Sequence, residues 1–152
     1  MKLNLDEKLV FINLDFENKE DILNFLSTKL LENDYVKPGY PQAIIDREEL
    51  YPTGLPSLGV NIAIPHADND LVFKTTIAIG VLKDSVEFCS MENREKKLNV
   101  QIVIMLAIKE PHGQIEMLQK VVSIIQNDKL TKEITESKDK NEVLSALEPY
   151  LN

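Results

Sequence analysis

Leu98-Asn-Val-Gln-Ile-Val-Ile-Met-Leu-Ala-Ile108 is the stretch that decides the fold. Its second half, Ile102 to Ile108, is the longest apolar run in the chain. Seven residues are far short of the ~20 needed to span a bilayer. A continuous run of this length, rich in β-branched residues, predicts a central strand covered on both faces.

Working outward, Leu9–Leu14 predicts a short first strand, Ile62–Ile64 another, and Thr75–Leu82 a third. Asn18 is a suitable cap for a helix whose stripe is Ile22, Leu23, Leu26, Leu30 and Leu31, ended by Lys37-Pro-Gly39. A second helix runs from Pro41, a good first-turn residue, to about Leu50. After the long strand and a loop at Glu110-Pro-His-Gly113, a third helix carries Ile115, Leu118, Val121, Val122 and Ile125. Two short helices, Leu130–Glu136 and Asp139–Leu147, follow. Helices before and after a run of strands predict an α/β sandwich with a mixed sheet. With 152 residues, and no internal repeat or flexible linker, residues 1–152 are expected to form one domain.

The balance of charge narrows the function. A formal charge of −8 opposes general nucleic-acid binding, which needs a basic footprint; it suits a partner with a basic docking face, although charge alone asks for no more than a soluble acidic protein. Cys89 is the single cysteine, so no intramolecular disulfide forms. Met1–Lys8 interleaves charges with leucines and lacks a signal-peptide core. A cytoplasmic location is expected.

Candidate chemistry gathers at Ile62-Ala-Ile-Pro-His66. His66 ends an apolar strand behind a rigid proline, and neutral imidazole is a nucleophile near neutral pH. Arg47 lies near the end of the second helix, and Thr53-Gly54 in the turn-rich loop between that helix and His66. His112 and Gln114 lie where the third helix begins. If the strands bearing Ile64 and Ile108 are parallel neighbours, these groups open at one sheet edge, where α/β folds place ligand sites. Phosphoryl transfer suits them: His66 attacks phosphorus, Arg47 supplies permanently charged planar donors, and the helix start near Gln114 favours an anion. Each residue also has a structural reading. His66 can be a packed strand-end histidine, Arg47 a surface ion pair and His112 an exposed loop residue. A metal site from His66, Asp68, Asp70 and His112 lacks the usual ligand spacing, so neither metal nor cofactor is expected.

Arg47-Glu48, Thr53-Gly54 and Asn61-Ile-Ala-Ile-Pro-His66, in this order and spacing, resemble the enzyme IIA domains of the mannitol/fructose class of the bacterial phosphoenolpyruvate-dependent sugar phosphotransferase system. The resemblance extends from about Leu9 to Leu151. Tyr51-Pro-Thr-Gly-Leu-Pro56 and Pro65-His-Ala-Asp68 look most like its galactitol-type branch. It implies a mixed five-stranded sheet flanked by helices on both faces. It also implies a phosphoryl group received from HPr on Nε2 of His66, with Nδ1 held by the fold, and passed to a cysteine of enzyme IIB, which serves membrane enzyme IIC. By the same resemblance Arg47 neutralises phosphoryl oxygens. Gln114 stands where many relatives have a second histidine; it can donate a neutral N–H, and His112 compensates if its loop folds inward. Leu55, Pro56, Leu58 and Val60 are candidates either for an apolar docking patch or for loop core, and Cys89 for a buried apolar residue. A regulatory module of the same fold is the alternative function. Nothing is appended after the last helix of the given sequence, which favours the transport component.

Overall fold

The computed structural model describes residue 3 and residues 5–151; of the N-terminal stretch Met1–Lys8, residues 1, 2 and 4 lie outside it, as does residue 152. The elements run β1 (Val10–Leu14), α1 (Lys19–Glu32), α2 (Tyr40–Leu50), β2 (Gly54–Leu55), β3 (Asn61–Ala63), β4 (Thr76–Cys89), β5 (Lys97–Ala107), α3 (Gly113–Ile125), α4 (Asp128–Thr135) and α5 (Lys140–Leu151). The five strands form one mixed sheet in the order β1-β4-β5-β3-β2. β5 lies at its centre, antiparallel to β4 and parallel to β3.

Burial on both faces explains the apolar run. Ile102, Ile104, Leu106 and Ile108 pack with Met117, Val121, Ile134 and Leu147 from the three C-terminal helices. Val103, Met105 and Ala107 pack with Ile22, Leu26, Tyr40 and Ile44 from α1 and α2. Leu98 and Val100 also face α1 and α2, so strict alternation fails between Val100 and Ile102. The pairing with β4 steps there from Val81↔Ile102 to Val86↔Val100. A change of phase by one residue sends every following side chain to the opposite face, and this irregularity is what turns Leu98 and Val100 toward α1 and α2.

Local signals set the helix ends. The Asn18 side chain accepts from the Asp21 N–H at 2.9 Å, capping α1. At its other end Tyr35 N–H donates to Leu30 and Asp34 N–H to Leu31, with Asp34 at φ 64°, the doubled bond of a helix stop in the left-handed region.

Three expectations need correction. β4 continues to Cys89, seven residues past the predicted end at Leu82, because its antiparallel pairing with β5 resumes beyond the irregularity and gives residues 86–89 partners there. The buried stripe of α3 is Met117, Val121, Ile124 and Ile125, whereas Ile115 is 63% exposed and Leu118 half-buried. This helix carries two apolar faces, and only one meets the core. Cys89, at the tip of β4, is half-buried rather than enclosed.

Candidate functional site

The parallel pairing of β3 with β5 carries on past the end of β3. Leu106 N–H donates to the Pro65 carbonyl at 2.9 Å, and His66 bridges to Leu106. Tyr40, fully buried at the start of α2, donates its hydroxyl to the Leu106 carbonyl, which ties that helix to the same sheet edge. Gln114, in the first turn of α3, donates from Nε2 to the Ala67 carbonyl at 3.0 Å. The loop bearing His66 is therefore held from the sheet on one side and from α3 on the other.

Between these elements opens a cleft of about 300 Å³, lined by Arg47, Tyr51, Thr53, His66, Gln114 and a mostly apolar remainder that includes Met91, Ile115 and Leu118. Its residues come from the end of α2, the following loop, the end of β3, the turn after β4, β5 and the start of α3. Arg47, His66 and Gln114, all expected in the site, thus meet in one cleft. His112 stands exposed just ahead of α3, its side chain makes no capping bond, and it is absent from the lining.

The ring of His66 is half-buried, with Nδ1 2.9 Å from the Ile64 carbonyl oxygen. A carbonyl only accepts, so Nδ1 carries the proton and Nε2 of the neutral ring keeps its lone pair. Burial lowers the His66 pKa, the Ile64 bond opposes this, and the Arg47 charge adds to the lowering. Burial and the Arg47 charge favour a neutral ring in neutral solution, and the Ile64 bond settles which nitrogen bears its single proton, leaving the other free as a nucleophile.

Arg47 is exposed, and its guanidinium lies 5.3 Å from the Tyr51 ring centroid, a cation–π contact that orders a long side chain at the cleft mouth. The next residue on α2 points the other way. Glu48 is 3% exposed; its carboxylate accepts from Thr53 N–H at 2.8 Å and from the Thr53 hydroxyl at 2.7 Å. Burial pushes the Glu48 pKa up to about 7 against the lowering by these bonds and by Lys19 and Arg47. Gly54 follows, and a Cβ there would stand 2.6 Å from the Cys89 carbonyl oxygen, so only glycine fits beside the end of β4. The Gln114 amide has its Oε1 buried without a hydrogen-bond partner. Among the described residues no group of three or more metal-ligating side chains occurs.

Glu48 and Thr53 both stand in the motif, but nothing in the sequence shows that they bond to each other. A buried glutamate is indistinguishable from its exposed neighbours Asp46 and Glu49 until α2 is placed. Met91 lay beyond the predicted end of β4, so nothing in the sequence linked it to His66. The proposed patch also divides: Leu55 is core, Pro56 and Val60 are half-buried, Leu58 is fully exposed, and none of them lines the cleft.

Residues 3–149 match the family described as "Phosphoenolpyruvate-dependent sugar phosphotransferase system, EIIA 2". The chain belongs to this family. It is thereby a phosphotransferase component of the type that carries a phosphohistidine. Among relatives of this EIIA chain, a mannitol-specific EIICBA component of Vibrio cholerae is 32% identical over 146 residues, 94% of this chain and 21% of that protein. A mannitol-specific phosphotransferase enzyme IIA component of Enterococcus faecalis is 30% identical over 115 residues, 74% of this chain and 76% of that protein. The chain spans about a fifth of the length of the multidomain curated relatives it matches. The crystal structure of IIA mannitol from Escherichia coli superposes with a TM-score of 0.79 at 26% identity, covering 95% of this chain and 99% of that one. The same domain in complex with phosphorylated enzyme IIB gives 0.81 at 25% identity, covering 97% and 99%. The mixed five-stranded sheet flanked by helices on both faces is the fold of these mannitol enzymes IIA. No helix among the described residues is long and apolar enough to cross a membrane.

Proposed function

We propose that residues 1–152 form one enzyme IIA unit that takes a phosphoryl group from HPr on Nε2 of His66 and passes it to a cysteine of an enzyme IIB, in the cytoplasm, for sugar entering through membrane enzyme IIC. The observation that carries this reading is the Nδ1–Ile64 bond, which leaves Nε2 as the nucleophile in a cleft it shares with Arg47. The Nε2 lone pair forms a bond to phosphorus while the P–N bond of the donor phosphohistidine breaks, its electron pair returning to the donor ring. In the second transfer the IIB thiolate attacks, and the pair returns to Nε2. Arg47 offsets charge on the phosphoryl oxygens, and the first turn of α3 at Gln114 favours the anion. Exposed Leu50, Tyr51, Met91 and Ile115 give partners an apolar surface, with exposed Asp46, Glu49, Asp68 and Glu92 as acidic neighbours for a basic face.

The test is incubation with phosphoenolpyruvate, enzyme I and HPr. An acid-labile, base-stable phosphate is expected, and it disappears in His66→Ala; a phosphate that persists in that variant overturns the assignment. His112, exposed two residues ahead of Gln114, receives a phosphoryl contact if His112→Ala clearly slows uptake, and an unchanged rate leaves it a loop residue. The sugar branch is a finer proposal. Tyr51–Pro56 and Pro65–Asp68 support a galactitol-type partner, whereas the relatives are named for mannitol and fructose. Transfer to purified galactitol-type, mannitol and fructose IIB domains separates these.

One observation favours a second reading, a regulatory module. The transcriptional regulator ManR of Bacillus subtilis is 35% identical over 101 residues. Phosphorylation without transfer to any IIB domain would support it.

A further inference from the structure

A chain of hydrogen bonds joins a buried carboxylate to the ring of His66. Glu48 receives both the N–H and the hydroxyl of Thr53, at 2.8 and 2.7 Å. The carbonyl of the same Thr53 receives Ile64 N–H at 3.2 Å, and the carbonyl of Ile64 receives Nδ1–H of His66 at 2.9 Å. Glu48 is 3% and Thr53 2% exposed, so water does not replace these partners. We propose that Glu48 is a positioning residue for phosphoryl transfer at His66, acting through Thr53 and Ile64. This rests on the reading of His66 as the phosphoryl acceptor.

Three physical points support the assignment. First, a carboxylate is a costly group to bury, and packing alone would be served by an apolar side chain. Here both oxygens are spent on one residue, which fixes the Thr53 peptide in position and rotation. Second, that peptide forms the wall of the cleft. Tyr51 N–H donates to the Arg47 carbonyl at 2.7 Å, so the loop between Arg47 and Thr53 is pinned at both ends, with Tyr51 and Pro52 held against the site. Third, the bond to Ile64 decides the tautomer. Only while the Ile64 carbonyl is aimed at Nδ1 is the proton kept there, and only then is Nε2 free to attack. Arg47 and Glu48, adjacent on α2, thus divide two tasks: one faces the incoming charge, the other holds the nucleophile's support.

The test reads the ring itself. Nitrogen NMR of the imidazole in the unphosphorylated protein gives the fraction of each tautomer, and the HPr assay gives the rate of phosphoryl uptake. In wild-type protein a single Nδ1–H form is expected. In Glu48→Ala the Nε2–H form should appear, with uptake at least about tenfold slower, the effect of losing one to two buried hydrogen bonds in support of the site. Glu48→Gln keeps an acceptor for Thr53 N–H and a group that bonds its hydroxyl, and should restore the single tautomer and most of the rate. A folded Glu48→Ala protein with one tautomer and the wild-type rate overturns the proposal, because a purely structural role leaves both unchanged. If that variant does not fold, Thr53→Val removes one arm of the clasp; the same tautomer shift, smaller, is expected, and its absence is equally decisive against. Failure of the wild-type protein to take phosphate from HPr would sink the functional reading, yet the tautomer populations would still decide the role of Glu48.

Discussion

His66 Nδ1 and the Ile64 carbonyl oxygen are 2.9 Å apart, two residues from each other in sequence. The contact makes a strand end into a holder for one ring nitrogen, and it assigns the other to the cleft. Because burial comes first among the causes that lower the His66 pKa, protonation of the ring is expected below its usual 6.5. Carbon and nitrogen shifts followed through a pH titration check this. Phosphoryl uptake should be level through neutral pH and fall only as the ring gains its second proton.

Gln114 provides a sharper test of the charge in the cleft. Its Nε2 is bound to the Ala67 carbonyl and its Oε1 is buried with no partner. Gln114→Glu changes no volume but places a negative group beside the site of a phosphoryl anion. Uptake from HPr should fall about a hundredfold, and losing the N–H donated to Ala67 should lower the thermal transition as well. Gln114→His is expected to stay active, since an imidazole can also donate to phosphoryl oxygen.

Arg47 and lysine are not equivalent at this position. The guanidinium lies over the Tyr51 ring and offers a planar fork of donors that an ammonium lacks. Arg47→Lys preserves the charge but loses the planar fork, and its phosphoryl uptake should fall about tenfold, with Arg47→Ala slower still. Single-turnover rates with phosphorylated HPr measure both. Equal rates for wild type and Arg47→Ala would remove Arg47 from the site.

Much of this site was legible because its spacing is local. Ile62 to His66 reads as a strand followed by a proline and a ring, and the apolar run Ile102–Ile108 identifies the strand it joins. Arg47 and Gln114 follow from where the helices stop and start. The clasp was hidden, because the sequence gives no sign that Glu48, among Asp46 and Glu49, is the one turned inward. The second face of α3 was hidden for a different reason. Ile115 and Leu118 fit the same helical spacing as core residues, and periodicity alone does not say which apolar stripe meets the sheet and which meets a partner. The length of β4 is hidden because Lys83, Asp84 and Ser85 break off the continuous buried run that ends at Leu82, and only Val86 to Phe88 beyond them alternate.

Gly54, next to the cleft residue Thr53, has no room for a side chain. A Cβ would meet the Cys89 carbonyl oxygen at 2.6 Å and its carbonyl carbon at 3.3 Å, backbone atoms that cannot swing aside. Gly54 O also accepts from Met91 N–H at 2.8 Å, which fixes the distance. Gly54→Ala should lower stability by about 1–3 kcal/mol, the usual cost of overpacking, as a shift of the urea midpoint at constant slope. Because Thr53 is adjacent, its uptake rate should fall as well.

The pH dependence of stability isolates Glu48. Its pKa is near 7 in the folded chain, against 4.5 for an unperturbed glutamate. Between these values the folded state holds a proton that the unfolded state has released, so this group favours folding at low pH. That contribution is fully present below pH 4.5 and is lost as the pH rises through about 7. Its total is on the order of 3 kcal/mol. The clasp itself survives protonation, because the Thr53 hydroxyl can exchange its donor role for an acceptor one. His66 acts in the opposite sense: its lowered pKa makes the unfolded chain bind a proton first as the pH falls below 6.5, so acid weakens folding through the ring. Urea unfolding of wild type and Glu48→Gln at a series of pH values separates the two. The difference between the proteins should move in favour of Glu48→Gln from pH 5 to pH 8, whereas His66→Gln should leave that trend in place and remove part of the loss at acid pH. A constant difference between wild type and Glu48→Gln over this range would mean that the buried carboxyl titrates as it does in the unfolded chain.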